Sequence, residues 1–366
     1  MTKENAPQPA LIAMSGGVDS SVAAALMKQR GHDCIGITMK LRRSEDFPCT
    51  EKSCCTADDA EDARSVAYSL GMKFYVFNFT QEFDREVIDR FVSAYERGLT
   101  PNPCIDCNRY MKFELLYQRG RALGCDLIVT GHYARTEFDE STGRWLLKKA
   151  KNLPKDQSYV LYSMSQEQLA HTRFPLGDFS SKEEVRALAE QLGLLNAQKH
   201  DSQDICFVPD GDYAAFIRRR TGRSYPPGNF LDVHGNVIGE HSGLIKYTIG
   251  QRKGLGVGFG ERMYVCCKDV ERNTVTLSRE KELYSTRLTA RDFNWISLPE
   301  APRTPVEVTA KTRYNGREAS ASVWADDSGL VHVEFTEPQR AVTPGQAVVL
   351  YNGETVVGGG TIVSSE

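Results

Sequence analysis

"PALIAMSGGVDSSVAAALMKQRG", Pro9 to Gly31, reads as an apolar strand over Ala10 to Met14, a turn of Ser15, Gly16 and Gly17, and a helix that begins near Asp19 or Ser20 and ends before Gly31. A strand that delivers glycines to a helix N-terminus presents unpaired backbone N–H groups, and without Cβ atoms the turn lets a ligand approach the main chain. Such a turn binds anions. The lysine of "GxxxxGK[ST]" is missing, so the usual P-loop NTPase assignment does not apply. Outward from this stretch, "DCIGITMKL" predicts a strand, "ADDAEDARSVAYSLG" a helix with acidic residues in its first turn, and "KFYVFNF" and "CDLIVTGHYA" two more strands. This alternation predicts an α/β fold with a doubly wound parallel sheet that binds ligands beyond the carboxyl ends of its strands.

The bulk numbers bound the rest. A chain of 366 residues exceeds one core and predicts two or three domains. Its composition, 40% hydrophobic and 25% charged, is that of a soluble globular protein, with no apolar run near the length of a membrane span. The opening residues carry no apolar signal core, so a cytoplasmic location without membrane contact is expected. There the ten cysteines stay reduced, and their spacing suggests chemistry in preference to disulfides. A net charge of −3 requires that any nucleic acid be met by a local basic patch.

"SGGVDSS" resembles the signature of the PP-loop ATP pyrophosphatase superfamily. "LTPNPCIDCNRYMKF", "VTGHYA", "KDQSYVLY", "DSQDICFV", "YTIGQRKGLGVG", "KTRYNG" and "AVTPGQAVVLYNGE" resemble, in this order and over nearly the whole chain, the tRNA-specific 2-thiouridylases of the MnmA/TrmU type. The resemblance implies three domains: a PP-loop domain over residues 1–206, a small central β-rich domain over 207–284, and a C-terminal β-barrel over 285–366. It implies ATP-dependent replacement of the oxygen at position 2 of the tRNA wobble uridine by sulfur. For ATP and Mg2+ it points to Ala13, Met14, Ser15, Gly16, Gly17, Val18, Asp19 and Ser20, with Met39 and Gly131 at strand ends beside the adenine. Ser21 would add a further hydroxyl. Asn102 and Pro103 would frame the target base. His132, Lys155, Asp156, Gln157, Arg313, Tyr314 and Gln346 match tRNA-contacting positions. A sulfur-donor or sulfur-relay protein and a monomer or weak dimer complete the expectation.

The reaction itself explains the layout. A uracil carbonyl oxygen leaves poorly, so ATP must first convert it to an adenylate that departs as AMP. Sulfur then arrives as a nucleophile, delivered by a persulfide directly or after a second thiol cleaves the S–S bond. Cys107 matches the family's first catalytic cysteine and Cys206 its persulfide carrier. An unperturbed thiol, with a pKa near ~8.5, is mostly protonated at neutral pH, so a positive neighbourhood is expected at both.

"NPCIDCN", Asn102 to Asn108, departs from the family, which commonly has aspartate where this chain has Cys104. The exchange removes a group that moves protons near neutral pH and adds a soft metal ligand, with Asp106 displaced by two residues as the only nearby substitute. Cys104, Cys107 and Cys206 could together hold a [4Fe-4S] cluster, leaving one iron for the incoming sulfur. Zinc, a redox pair, and a cluster-free persulfide route with an inert Cys104 are the rivals. Cys49, Cys54 and Cys55 in "CTEKSCC" read as loop packing. Cys34 and Cys125 read as buried and inert, and alternation turns only one of Cys266 and Cys267 inward.

"FIRRRTGR" offers Arg218, Arg219, Arg220 and Arg223 to RNA or to solvent, and "KKAKNLPKDQ" adds Lys148, Lys149, Lys151 and Lys155. "SKEEVRALAEQLGL", capped by Ser180 or Ser181, reads as the last helix, and from about Tyr225 the texture is all-β. Two other function classes fit the loop: a PP-loop ligase or amidotransferase that adenylates a small metabolite, and a non-catalytic RNA-binding module.

Overall fold

The computed structural model describes residues 8–42, 57–199, 205–258 and 260–366. The "CTEKSCC" cysteines lie outside these. The chain forms two compact units: Met1–Val87, Cys104–Pro209 and Glu354–Val357 make one, and Ile88–Pro103, Asp210–Gly353 and Gly358–Glu366 the other. The stretch Ile88–Pro103 thus leaves the first unit although the sequence around it belongs there.

In the first unit β1 (Pro9–Ala13) leads into α1 (Val18–Gln29), followed by β2 (Asp33–Lys40), α2 (Ala57–Ser69), β3 (Lys73–Asn78) and β4 (Leu127–Val129). The sheet has five strands in the order β3-β2-β1-β4 and then Thr172–Arg173, all parallel. Strand order reverses between β1 and β4, and this is where such a sheet opens a crevice for ligands. Leu11 and Ile12 of β1 are fully buried, as a central parallel strand requires, and Ala23, Ala24 and Ala25 let α1 lie close against the sheet. The helix begins at Val18, slightly before the predicted start, because Gly17 takes the extended N-cap conformation. No side-chain cap bond forms at Gly17, so the first N–H groups of α1 remain available to an anion. Thr38 of β2 donates to the carbonyl of Met14 (2.7 Å) and ties the end of β1 to its neighbour.

The helix Lys182–Gln191 is capped by Ser181, whose hydroxyl accepts from the Glu184 N–H at 3.2 Å. It is not the last one. Tyr213–Thr221 forms a further helix in the second unit, with Asp212 accepting from the Ala215 N–H and Gly222 ending it at φ +64°. Tyr213 stacks on Tyr95 and Phe216 meets Phe91 edge-on, so the helix Asp89–Glu96 packs with it. The rest of the unit is β: a four-stranded sheet and a six-stranded barrel closed by pairing of Tyr284–Trp295 with Thr355–Ser365. No described helix is long and apolar enough to cross a membrane.

Thr38→Val keeps the shape of this buried residue and removes its hydroxyl. Unfolding by denaturant should show a loss of about 1–3 kcal/mol, the cost of leaving the Met14 carbonyl without its partner.

Candidate active site

The turn after β1 is bound to itself. Ser20 Oγ accepts from the Ser15 N–H (3.1 Å) and donates to the Gly17 carbonyl (3.0 Å), which also accepts from Ser21 Oγ (3.2 Å). Gly16 sits at φ +76°, and a Cβ there would lie 2.3 Å from the Asp59 carbonyl oxygen. Across the crevice Gly131, just past β4, presses on the start of α1, where a Cβ would meet Asp19 C and Ser20 N at 2.8 Å. Both glycines are therefore demanded by backbone packing. Met39, half-buried, stands at the carboxyl end of β2.

Four residues that sequence reasoning missed complete this wall. Lys182 Nζ donates to both Asp19 carboxylate oxygens at 2.7 Å, and Tyr133 Oη donates to Asp19 Oδ1 at 2.7 Å. Asn196 Nδ2 donates to the Gly16 carbonyl and to Ser21 Oγ, each at 2.9 Å. Lys199 Nζ donates to Asp59 and Asp62 at 2.6 Å. Local sequence signals mark only the Ser181 cap beside Lys182; nothing in the pattern ties residues so far apart to "SGGVDSS".

The pocket wall suits a magnesium nucleotide. Main chain lies bare where Cβ atoms would clash, and Asp19 offers hard oxygen ligands with its side chain 28% exposed. Asn196 Oδ1 is a buried acceptor with no hydrogen-bond partner among the described residues. A polar ligand would relieve it.

Pro103 opens the short helix Pro103–Asp106, a position where its missing N–H costs nothing, and Cys107 begins a π-helix that runs to Leu115. Cys104 is exposed, and Cys107 and Cys206 are half-buried. Arg42 Nη1 donates to the Cys206 carbonyl at 2.5 Å, bringing a fixed positive charge to that cysteine's backbone. Asn108, next to Cys107, is buried with Nδ2 on the Val160 carbonyl (3.0 Å), and its Oδ1 has no partner among the described residues. Among the described residues no group of three or more His, Cys, Asp or Glu could hold a metal ion. Cys104, Cys107 and Cys206 are not brought together as such a group, for a cluster or for zinc. Cys34 and Cys125 are buried, and burial pushes the Cys34 thiol up to about 11.

The residues expected at tRNA are placed unevenly. His132 is buried; its Nδ1 pairs with Thr130 Oγ1 (2.7 Å) and its Nε2 lies 3.4 Å from Lys112 Nζ. Burial, aided by that lysine, pushes its pKa well below the ordinary histidine value and keeps the ring neutral. Asp156 accepts from the N–H groups of Ala150 and Ser158 and from Ser158 Oγ, while Gln157 exchanges bonds with the Tyr133 backbone. Lys155 is half-buried beside them. In the second unit Gln346 Nε2 donates to the Thr100 carbonyl (2.8 Å), and the Thr100 N–H donates to the Pro344 carbonyl (3.0 Å). This clamp fixes the backbone two residues before Asn102. Arg313 is exposed and Tyr314 half-buried. Of the arginine run, Arg220 pairs with Asp89 (3.0 Å) and Arg223 with Glu96 (2.7 Å), which removes part of its basic character.

Comparison with known proteins gives three family models in sequence order: a tRNA methyl transferase HUP domain over residues 8–210, a tRNA methyl transferase PRC-barrel domain over 214–279, and an aminomethyltransferase β-barrel domain over 285–362. Curated relatives match nearly end to end. A tRNA-specific 2-thiouridylase MnmA of Acetivibrio thermocellus is 49% identical over 96% of this chain and 98% of that protein. Proteins of the same name from Heliobacterium modesticaldum and Moorella thermoacetica are 51% and 50% identical, over 96% and 97% of this chain and 92% and 99% of their own.

Gly16→Ala forces a left-handed backbone and a clash with the Asp59 carbonyl. It should cost about 2 kcal/mol or more in unfolding free energy and abolish nucleotide binding, as read by calorimetry. Native alkylation at pH 8 followed by mass spectrometry should label the exposed Cys104 and Cys267 first and leave Cys34 unmodified, since roughly one in a thousand of a thiol titrating near 11 is thiolate there.

Proposed function

The chain belongs to the tRNA-specific 2-thiouridylase family, and on that premise we propose that it is a tRNA-uridine 2-sulfurtransferase acting on the wobble uridine. The observation that carries this reading is the presence in one chain of a turn shaped for phosphate, Ser15 to Ser20, and of two accessible cysteines, Cys107 and Cys206, within motifs matched over its whole length. The family models are described by methyl transfer, but neither an ATP-type turn nor a cysteine pair serves a methyl donor. Thiolation uses both.

The uridine O2 attacks the α-phosphorus of ATP and pyrophosphate leaves; Asp19 would hold Mg2+, which would supply neutralisation of the phosphate charge. The terminal sulfur of a Cys206 persulfide then attacks C2, AMP departs, and the base is left joined to Cys206 through an S–S bond. Cys107 thiolate attacks the Cys206 sulfur of that bond, releasing the 2-thiouridine and forming a Cys107–Cys206 disulfide that an external thiol reductant must reopen. In the direct variant Cys107 attacks first and hydrosulfide adds to C2, with the same disulfide left behind. Arg42, bonded to the Cys206 carbonyl, brings a cation to the backbone of that residue. Asn102 and Pro103 frame the base at the mouth of the Cys107 helix. In this reading Lys155, Arg313 and Tyr314 meet RNA with their side chains, whereas Asp156 and Gln157 hold the backbone beside Lys155, Gln346 holds the Thr100 carbonyl before Asn102, and His132 is buried on Thr130 Oγ1. A sulfur-donor or relay protein loads Cys206.

In a reconstituted reaction with tRNA, ATP and a persulfide donor, Cys107→Ser and Cys206→Ser should each lower thiolation at least a thousand-fold while tRNA-dependent pyrophosphate release from the adenylation step persists in a single turnover. ATP turnover driven by a small metabolite without tRNA would overturn the reading in favour of a ligase. Several irons per chain in protein purified without oxygen, lost in Cys104→Ser, would replace the persulfide route with a cluster.

A further inference from the structure

We propose that Lys182 is a ligand for the nucleotide phosphates, held on Asp19 until a divalent cation takes that carboxylate and frees the ammonium for the phosphate chain. The proposal rests on the reading of Ser15 to Ser20 as an ATP site and adds a residue to it.

Lys182 Nζ makes two 2.7 Å bonds to the Asp19 oxygens, its side chain 9% exposed against 28% for the carboxylate. The open side of the pair is therefore the carboxylate, which a cation from solvent reaches first. Asp19 is the second residue of α1, two positions after Gly17, so an anion seated on the first N–H groups of α1 lies beside this pair. Lys182 is the first residue of its helix, fixed by the Ser181 cap, and its ammonium stands 5.8 Å from the Tyr133 ring centre.

A pair so buried contributes little net stability, because removing both charges from water offsets most of their attraction. Its value comes when a third charge arrives. With Asp19 bound to a cation, Lys182 carries a surplus positive charge at the mouth of the turn, where a polyphosphate needs one. Lys199, the other lysine close to the turn, is held by two carboxylates and is no candidate for release.

The test is calorimetric titration of inorganic pyrophosphate and of a non-hydrolysable ATP analogue, with and without Mg2+, into the full-length protein and its variants. Lys182→Met should weaken magnesium pyrophosphate at least tenfold, and Lys182→Arg should recover part of the loss. Asp19→Asn should bind pyrophosphate without Mg2+ at least threefold more tightly than the wild type and lose most of the gain that Mg2+ gives. The double variant Asp19→Asn/Lys182→Met removes both charges; it should melt within a few degrees of the wild type yet bind pyrophosphate as poorly as Lys182→Met. Binding by Lys182→Met within twofold of the wild type overturns the proposal, as does recovery of both stability and affinity in the double variant, which would mark a structural ion pair. Failure of the wild type to bind either ligand overturns the ATP reading and this proposal with it.

Discussion

Backbone must touch backbone around the turn that follows β1, and the rest of the first unit is arranged to permit this. Gly16 lies against the Asp59 carbonyl at the start of α2, and Gly131 lies against the first residues of α1. These contacts bring the ends of β1 and β4 and the beginnings of two helices to one point, the place where strand order reverses. Side chains at either glycine would separate the pieces. An anion site made of main-chain N–H groups requires that closeness, because its donors have fixed positions and no rotamer freedom with which to search.

Much of this was legible in the chain. Strand, turn and helix could be read between Pro9 and Gly31 because period and punctuation are local, and the parallel sheet followed from alternation. Ser181 was legible as a cap because capping depends on neighbours three residues apart. The helix Tyr213–Thr221 was obscured by its arginines, although Asp212 and Gly222 bracket it with the usual start and stop residues. The partners of the anion turn were out of reach for a different reason. Asn196 and Lys182 come to Gly16 and Asp19 through the packing of a distant helix, and no periodicity carries that information.

Charge and sulfur show the same limit. A run of arginines reads as an RNA-binding stripe, yet Arg220 and Arg223 are paired with Asp89 and Glu96, which lie on a helix remote in sequence. Exposed pairs of this kind add little stability, about 0–1 kcal/mol, and their effect is to lower the local positive potential. The cysteines are sorted by burial and by neighbours: Cys34 and Cys125 are shut in the core, while Cys104 and Cys107 share a motif without forming a ligand set with Cys206. Spacing alone cannot say whether CxxC serves a metal or sulfur transfer. A soft-metal site needs three or four thiolates converging on one point, and convergence is a tertiary property.

Residues 196–199 and Cys206 are each tied to the neighbourhood of the turn. Asn196 holds the Gly16 carbonyl and Ser21, and Lys199 holds Asp59 and Asp62 at the start of α2, so residues 196–199 are bound to both walls of the anion turn. Downstream, the Cys206 carbonyl is held by Arg42, which follows the carboxyl end of β2. Cys206, the persulfide carrier in the proposed reaction, is thus tied at its carbonyl to the side of the sheet where the strands' carboxyl ends and the turn stand. A ligand that draws on the unpartnered Asn196 Oδ1 acts on the residue that anchors this segment. In the proposed reaction, activation of the base and delivery of sulfur would therefore both draw on the carboxyl ends of β1 and β2, which Thr38 ties together at the Met14 carbonyl.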